Sequence, residues 1–270
     1  MLIGHLADLH VLEPDQKLGG VVDTNTMALR AVEALNRRSP QPDAVVVTGD
    51  LTHHGRVGQM NAAREILDRL AVPFYVLPGS HDDFGAFKEA FGDLKYFENS
   101  EEGQYIVRFP DTAIVVLNTS EGKGSQPALS DRRMKWARSA LEALDGVPTI
   151  VAMHHPPFQC RIPVSAYIKD PTMLWARELE NTIRKAGMVK LILCGHVHRS
   201  IQSLWADTLV SVGPATCVQA DPYFAEWSTI QLGDKRTAEL LMEPAAYQLA
   251  WLQDGAFSVY TLAVEEFRKF

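Results

Sequence analysis

A chain of 270 residues, 46% hydrophobic and 22% charged, has globular composition and enough length for one large core. Its net charge of −7 leaves no broad basic surface, so a nucleic-acid polymer is not an expected partner. Three widely spaced cysteines, Cys160, Cys194 and Cys217, form no disulfide framework, and no apolar run approaches the ~18 residues of a membrane span.

The chain runs from Met1 straight into Leu2-Ile3-Gly4-His5-Leu6-Ala7, a buried strand with no room for a removable signal; the expected location is the cytoplasm. Strand side chains repeat every second residue, so Asp8 and His10 leave the strand on one side and can share an ion. His5, inside the strand, reads as a satisfied core residue. Ala28, Ala31, Val32 and Leu35 follow helical spacing, with Thr24 or Asn25 as cap and Ser39-Pro40 as stop. Asp43-Ala44-Val45-Val46-Val47 is a second buried strand, from which Gly49 turns the chain so that Asp50 projects. His53, His54 and Arg56 read as solvated loop residues, with substrate contact the less favoured alternative. Met60, Ala63, Ile66, Leu67 and Leu70 mark a second helix, and Phe74-Tyr75-Val76-Leu77 a third strand leading to Ser80 and His81. Residues 2–77 thus read as βαβαβ, with parallel strands.

A hairpin is expected from 104–109 and 113–117 around Pro110-Asp111. Ser130 can cap a helix to about residue 144, and Thr172 another to about 186. Residues 149–153 form a strand leading to His154 and His155, and 191–194 another, through Gly195, to His196 and His198. Cys194 reads as a small strand hydrophobe. From Ala245 the texture changes: Tyr247, Trp251, Phe257, Tyr260, Phe267 and Phe270 occupy a segment without polar motifs. The expected division is a catalytic domain over 1–244 and a segment over 245–270. That segment forms a contact in a homo-oligomer (a dimer or larger), caps the site, or packs on its own subunit.

Five clusters of ligand-type residues therefore stand at strand exits, where open α/β sheets place their sites. Six of the nine histidines belong to them, and no histidine follows residue 198. Carboxylates and imidazoles without clustered thiolates suit hard to borderline divalent ions. A pair of such ions stabilises both oxygens of a displacement at phosphorus, which points to a two-metal hydrolase.

The order Asp8-x-His10, Gly49-Asp50, Gly79-Ser80-His81-Asp82, His154, Gly195-His196-x-His198 resembles that of the calcineurin-like metallophosphoesterases, with Ser80 where the family has Asn. A narrower resemblance lies in Lys17-Leu18-Gly19-Gly20-Val21-Val22-Asp23, in residues 42–50, in Pro78-Gly79-Ser80-His81-Asp82-Asp83 and in Met153-His154-His155-Pro156-Pro157. These are similar to the bacterial glycerophosphodiesterase and class III cyclic nucleotide phosphodiesterase branch, and the likeness covers most of 1–215. It implies a four-layer αββα sandwich of two mixed sheets flanked by helices. It also implies two divalent ions (Fe, Mn, Zn or Co), the first held by Asp8, His10, Asp50 and His198. The second would take bridging Asp50, Ser80, His154 and His196, and bind more weakly, since a hydroxyl is a poorer ligand than an amide. His81 would face the substrate phosphate, with Asp82 or Asp83 orienting it, and His155 would support the site or touch substrate. The implied reaction is hydrolysis of small phosphodiesters: glycerophosphodiesters, 3′,5′-cyclic nucleotides or phosphonate monoesters. Phosphomonoester hydrolysis and a noncatalytic phosphate-binding role stand as alternatives, the latter because of Ser80.

Overall fold

Residues 1–98, 100–121, 126–169, 174–222, 224 and 239–265 are described by the computed structural model. One sheet has five strands in the order β13-β12-β1-β2-β3, and a second has six in the order β4-β5-β6-β7-β9-β8. β1 (Leu2–Leu6), β2 (Ala44–Val47) and β3 (Phe74–Val76) are parallel, joined by α1 (Thr24–Asn36) and α2 (Val57–Leu67), as the βαβαβ pattern requires. β4 (Tyr105–Arg108) and β5 (Ala113–Val116) form the expected hairpin. β5, β6 (Thr149–Ala152), β7 (Val189–Cys194) and β9 (Thr208–Val212) continue in parallel, and β8 (Ile201–Trp205) pairs antiparallel to β9 at the edge.

The alternation of side chains along the second sheet builds two cores. Ile114, Val116, Ile150, Ala152, Leu191 and Leu193 pack in one cluster with β1, β2 and helices α1, α2 and α3 (Phe84–Phe91). Their neighbours Ala113, Val115, Val151, Ile192 and Cys194 pack instead with α4 (Asp131–Glu142) and α5 (Trp175–Ala186). Helices, sheet, sheet, helices: the four layers follow from a period of two in strands buried on both faces.

The start of α1 differs from expectation. Asp23 is its cap, accepting from Thr26 N. Thr24 and Asn25 are spent on the loop after β1: Thr24 Oγ1 donates to His10 O (2.8 Å), and Asn25 Oδ1 accepts from Leu12 N (2.8 Å). Ser130 caps α4 as expected, while Thr172 lies outside the described residues.

The chain end adds β12 (Ala246–Gln253) and β13 (Ala256–Ala263), with β12 antiparallel to β1 and Tyr247 fully buried. Phe267 and Phe270 lie outside the described residues. Short strands β10 (Gln219–Ala220) and β11 (Leu240–Leu241) pair beside the site loops. No helix among the described residues is long and apolar enough to cross a membrane.

Candidate metal centre

The carboxyl ends of β1, β2 and β3 meet those of β6 and β7, so both sheets feed one site. The exit loops are tied by their backbones: Asp8 N donates to Gly49 O (3.2 Å), His10 N to Asp50 O (2.9 Å) and Gly195 N to His154 O (3.0 Å). Asp8, His10, Asp50, His196 and His198 all have left-handed backbones, with φ of 53°, 48°, 48°, 74° and 50°. Each such non-glycine residue costs on the order of 1–3 kcal/mol and persists where its surroundings over-determine it. Gly79 lets the β2 and β3 exits touch, since a Cβ there would stand 2.1 Å from Asp50 N and 2.2 Å from Asp50 Oδ1.

Two histidine pairs face Asp50 from different sides. His10 Nε2 is 2.8 Å from His198 Nε2 and 3.8 Å from Asp50 Oδ2. His154 Nε2 is 3.2 Å from His196 Nδ1 and 3.3 Å from Asp50 Oδ1. Asp8 joins the first pair in a cluster of four ligand-type residues with His10, Asp50 and His198, and its two oxygens accept from His196 N (2.9 and 3.1 Å). Ser80 Oγ lies 3.3 Å from each oxygen of Asp50. His155 is buried beside the second pair, its ring centre 4.5 Å from that of His196 and its Nδ1 2.8 Å from Thr119 Oγ1.

Hydrogen bonds fix which ring nitrogens keep lone pairs. A carbonyl only accepts, so the ring nitrogen facing it carries the proton. His154 Nδ1 donates to Thr48 O (2.8 Å), His198 Nδ1 to Val218 O (3.0 Å) and His196 Nε2 to Val164 O (3.4 Å). The opposite nitrogens are left to converge with Asp50, as outer partners commonly arrange for metal-binding imidazoles.

Such a cluster is electrostatically costly by itself. Burial pushes the Asp8 carboxyl up to about 8, against the opposing pull of His154. Burial, reinforced by His154, takes the His196 imidazole down to about 3. At His154 burial acts downward, but the Asp50 carboxylate outweighs it and the ring rises to about 9. Imidazole nitrogens turned toward one another around buried carboxylates are a donor set that divalent cations satisfy, and the residues present fit such ions.

His81 stands at the half-exposed rim, its ring centre 4.7 Å from that of His10. Its backbone N donates to Asp50 Oδ1 (2.8 Å) and its Nδ1 to the carbonyl of His53 (2.8 Å). Neither Asp82 nor Asp83 orients that ring, contrary to expectation. Asp82 is buried and accepts from Gly79 N, Leu51 N, Thr52 N and Thr52 Oγ1, which ties the β2 exit to the β3 exit. Asp83 caps α3 through Ala86 N. His53 and His54 also depart from the solvated reading: the His53 ring lies 5.4 Å from His10 and 5.2 Å from His81, and His54 N donates to Gln59 Oε1 (2.8 Å). The run Thr52-His53-His54, one residue after Gly49-Asp50, was the available signal for both. Arg56 pairs with Glu13 at 3.0 Å, and His5 is a core residue bonded to Thr48 Oγ1 (2.9 Å) and Gln248 Oε1 (3.0 Å).

Residues 1–200 match the family model of the calcineurin-like phosphoesterases. The chain belongs to that family. Among curated proteins, this phosphoesterase is similar to the glycerophosphodiester phosphodiesterase of Enterobacter lignolyticus, 30% identical over 84% of this chain and 81% of that protein. It is likewise similar to a probable glycerophosphodiester phosphodiesterase of Arcobacter nitrofigilis, 25% identical over 99% of this chain and 94% of that one. A 3′,5′-cyclic-nucleotide phosphodiesterase of Nostoc sp. is 28% identical over 80% of this phosphoesterase and 79% of its own length. A solved structure of a dimetal phosphatase from Danio rerio superposes with a TM-score of 0.65 at 12% identity, covering 98% and 99% of the two chains, a likeness of fold.

Proposed function

We propose that this phosphoesterase hydrolyses small phosphodiesters at two divalent ions of Fe, Mn, Zn or Co. Asp8, His10, Asp50 and His198 hold the first, and Asp50, Ser80, His154 and His196 the second. The observation that carries this reading is the placement of Asp50, whose Oδ2 faces His10 of one histidine pair and whose Oδ1 faces His154 of the other. When bound, the ions supply positive charge for the attacking and leaving oxygens and lower the pKa of water.

The chain's own residues position the rest. With Nδ1 of His81 committed to the His53 carbonyl, Nε2 is the nitrogen left for substrate. As imidazolium, its Nε2–H donates to a phosphoryl oxygen or gives its proton to the departing alkoxide while the Nδ1 bond persists. His155 serves as a wall of the site, being 1% exposed and held by Thr119. Specificity for diesters is supported by the relatives, named for glycerophosphodiesters and for 3′,5′-cyclic nucleotides. Phosphonate monoesters share the same reacting centre. We assign residues 1–244 to the catalytic domain and 245–270 to a C-terminal addition, where half-exposed Trp251 and Tyr260 offer an oligomer contact. The free, buried Cys160, Cys194 and Cys217 are consistent with the cytoplasm.

The test is release of p-nitrophenol from bis(p-nitrophenyl) phosphate by protein stripped of metal and then titrated with Mn, Zn, Co or Fe. Metal-dependent turnover of the diester above that of p-nitrophenyl phosphate is expected, followed by a panel of glycerophosphodiesters and cyclic nucleotides. Faster monoester turnover would make it a phosphomonoesterase, and binding of phosphate without turnover a noncatalytic member.

A further inference from the structure

Every imidazole that lends one nitrogen to an ion needs its other nitrogen anchored, because that bond sets the tautomer and the ring orientation. Three of the four proposed ligand histidines use backbone carbonyls: Thr48 O for His154, Val218 O for His198 and Val164 O for His196. His10 is the exception. Its Nδ1 faces a side chain, Nδ1 of His53, at 3.3 Å.

Two nitrogens at that distance bond only when one carries a proton and the other a lone pair. With Nε2 of His10 lent to the first ion, its Nδ1 is the protonated one. His53 must therefore accept at Nδ1 and carry its own proton at Nε2. We propose that His53 is the positioning residue of His10: its imidazole anchors the first-ion ligand as the carbonyls anchor the other three. The inference rests on the two-ion reading above.

The surroundings hold His53 to this task. Its ring stacks on His81 at 5.2 Å with planes 26° apart, and packs edge-on to His54 at 4.5 Å. Its backbone N donates to Val11 O (3.1 Å) and its own carbonyl accepts the Nδ1 proton of His81 (2.8 Å). One residue thus serves the ligand with its side chain and the substrate-facing histidine with its backbone, so substituting the side chain separates the two roles. A carbonyl is a permanent acceptor, whereas an imidazole accepts only in one tautomer. The first ion therefore depends on a side chain that can be replaced without disturbing the backbone.

The experiment titrates Co²⁺ into chelator-stripped wild type, His53→Ala, His53→Asn and His53→Gln by calorimetry, with the visible spectrum of the Co²⁺ adduct as a second readout. An Asn amide oxygen occupies the position along the side chain that Nδ1 holds in His, and a Gln amide lies one methylene farther out. His53→Ala is expected to weaken the tighter binding step by about 10- to 100-fold. His53→Asn should return most of that loss along with the wild-type spectrum, and His53→Gln should not. Rescue by Asn alone separates an acceptor at one point in space from general damage to the loop. Should wild type bind two ions and His53→Ala bind them equally well, or should Asn fail to rescue, His53 is not the anchor. Wild type that takes up no Co²⁺ would instead overturn the functional reading itself.

Discussion

Ser80 Oγ lies 3.3 Å from Oδ1 and 3.3 Å from Oδ2 of Asp50. The hydroxyl is therefore beside the proposed bridging carboxylate, but a Ser side chain ends one atom short of the amide oxygen that Asn would bring. The second ion should bind more weakly than the first, and activity should rise with added divalent metal. Ser80→Asn is expected to lower the metal concentration for half-maximal turnover of bis(p-nitrophenyl) phosphate. Two ions retained by wild type through dialysis against a mild chelator, with no gain in the variant, would show that Ser80 already completes the site.

Asp50 faces both histidine pairs, so its removal should not cost one ion alone. Asp50→Ala takes a ligand from each and leaves two cations without an anion between them. Elemental analysis of the purified variant should find both ions depleted, together with loss of diester hydrolysis. Near-normal metal content would mean that the pairs hold their ions independently.

His81→Ala tests the division between holding metal and acting on substrate. Its backbone N–H to Asp50 survives the substitution, and its ring, which stands with His10 and His53, belongs to neither proposed ligand set. Turnover should fall by roughly 10²- to 10⁴-fold, the range for a positioned acid or charge stabiliser, with metal content unchanged. Loss of both ions would make His81 a ligand.

His5 predicts a pH dependence of stability away from the metal centre. Burial, partly offset by Gln248, lowers its imidazole from 6.5 to about 4. Below about 6.5 the unfolded chain takes up a proton that the folded chain refuses until about 4. The stabilisation from neutral, buried His5 is therefore fully present above 6.5 and is lost as pH falls toward 4, a loss of up to about 3 kcal/mol. Urea unfolding at pH 7 and pH 4.5 should show a smaller acid destabilisation in His5→Gln than in wild type. Equal losses in the two proteins would mean that His5 is charged in the fold or shielded in the unfolded chain.

The amino-acid sequence alone determined the type of site and its address on the fold. Buried apolar runs of strand length, each followed by a turn and then by Asp or His, place ligands at the carboxyl ends of parallel strands, because strand period and glycine turns are local properties. Asp8, His10, Asp50, His154, His196 and His198 were legible as candidates for that reason, as was the alternation that builds the four layers. What only the tertiary structure decided is how the exits face one another. That Asp50 splits its oxygens between two pairs, that carbonyls of Thr48, Val164 and Val218 anchor three rings, and that His53 faces His10 are contacts between residues 20 to 106 positions apart or across separate loops. Asp82 and Asp83 were misread for the same reason. An aspartate next to a working histidine looks like its partner along the chain, but the backbone turns Asp82 to four donors at the β2 and β3 exits and Asp83 to the end of α3. The left-handed backbones of five site residues belong to that level as well, since no local preference favours them and only the packed loops hold them there.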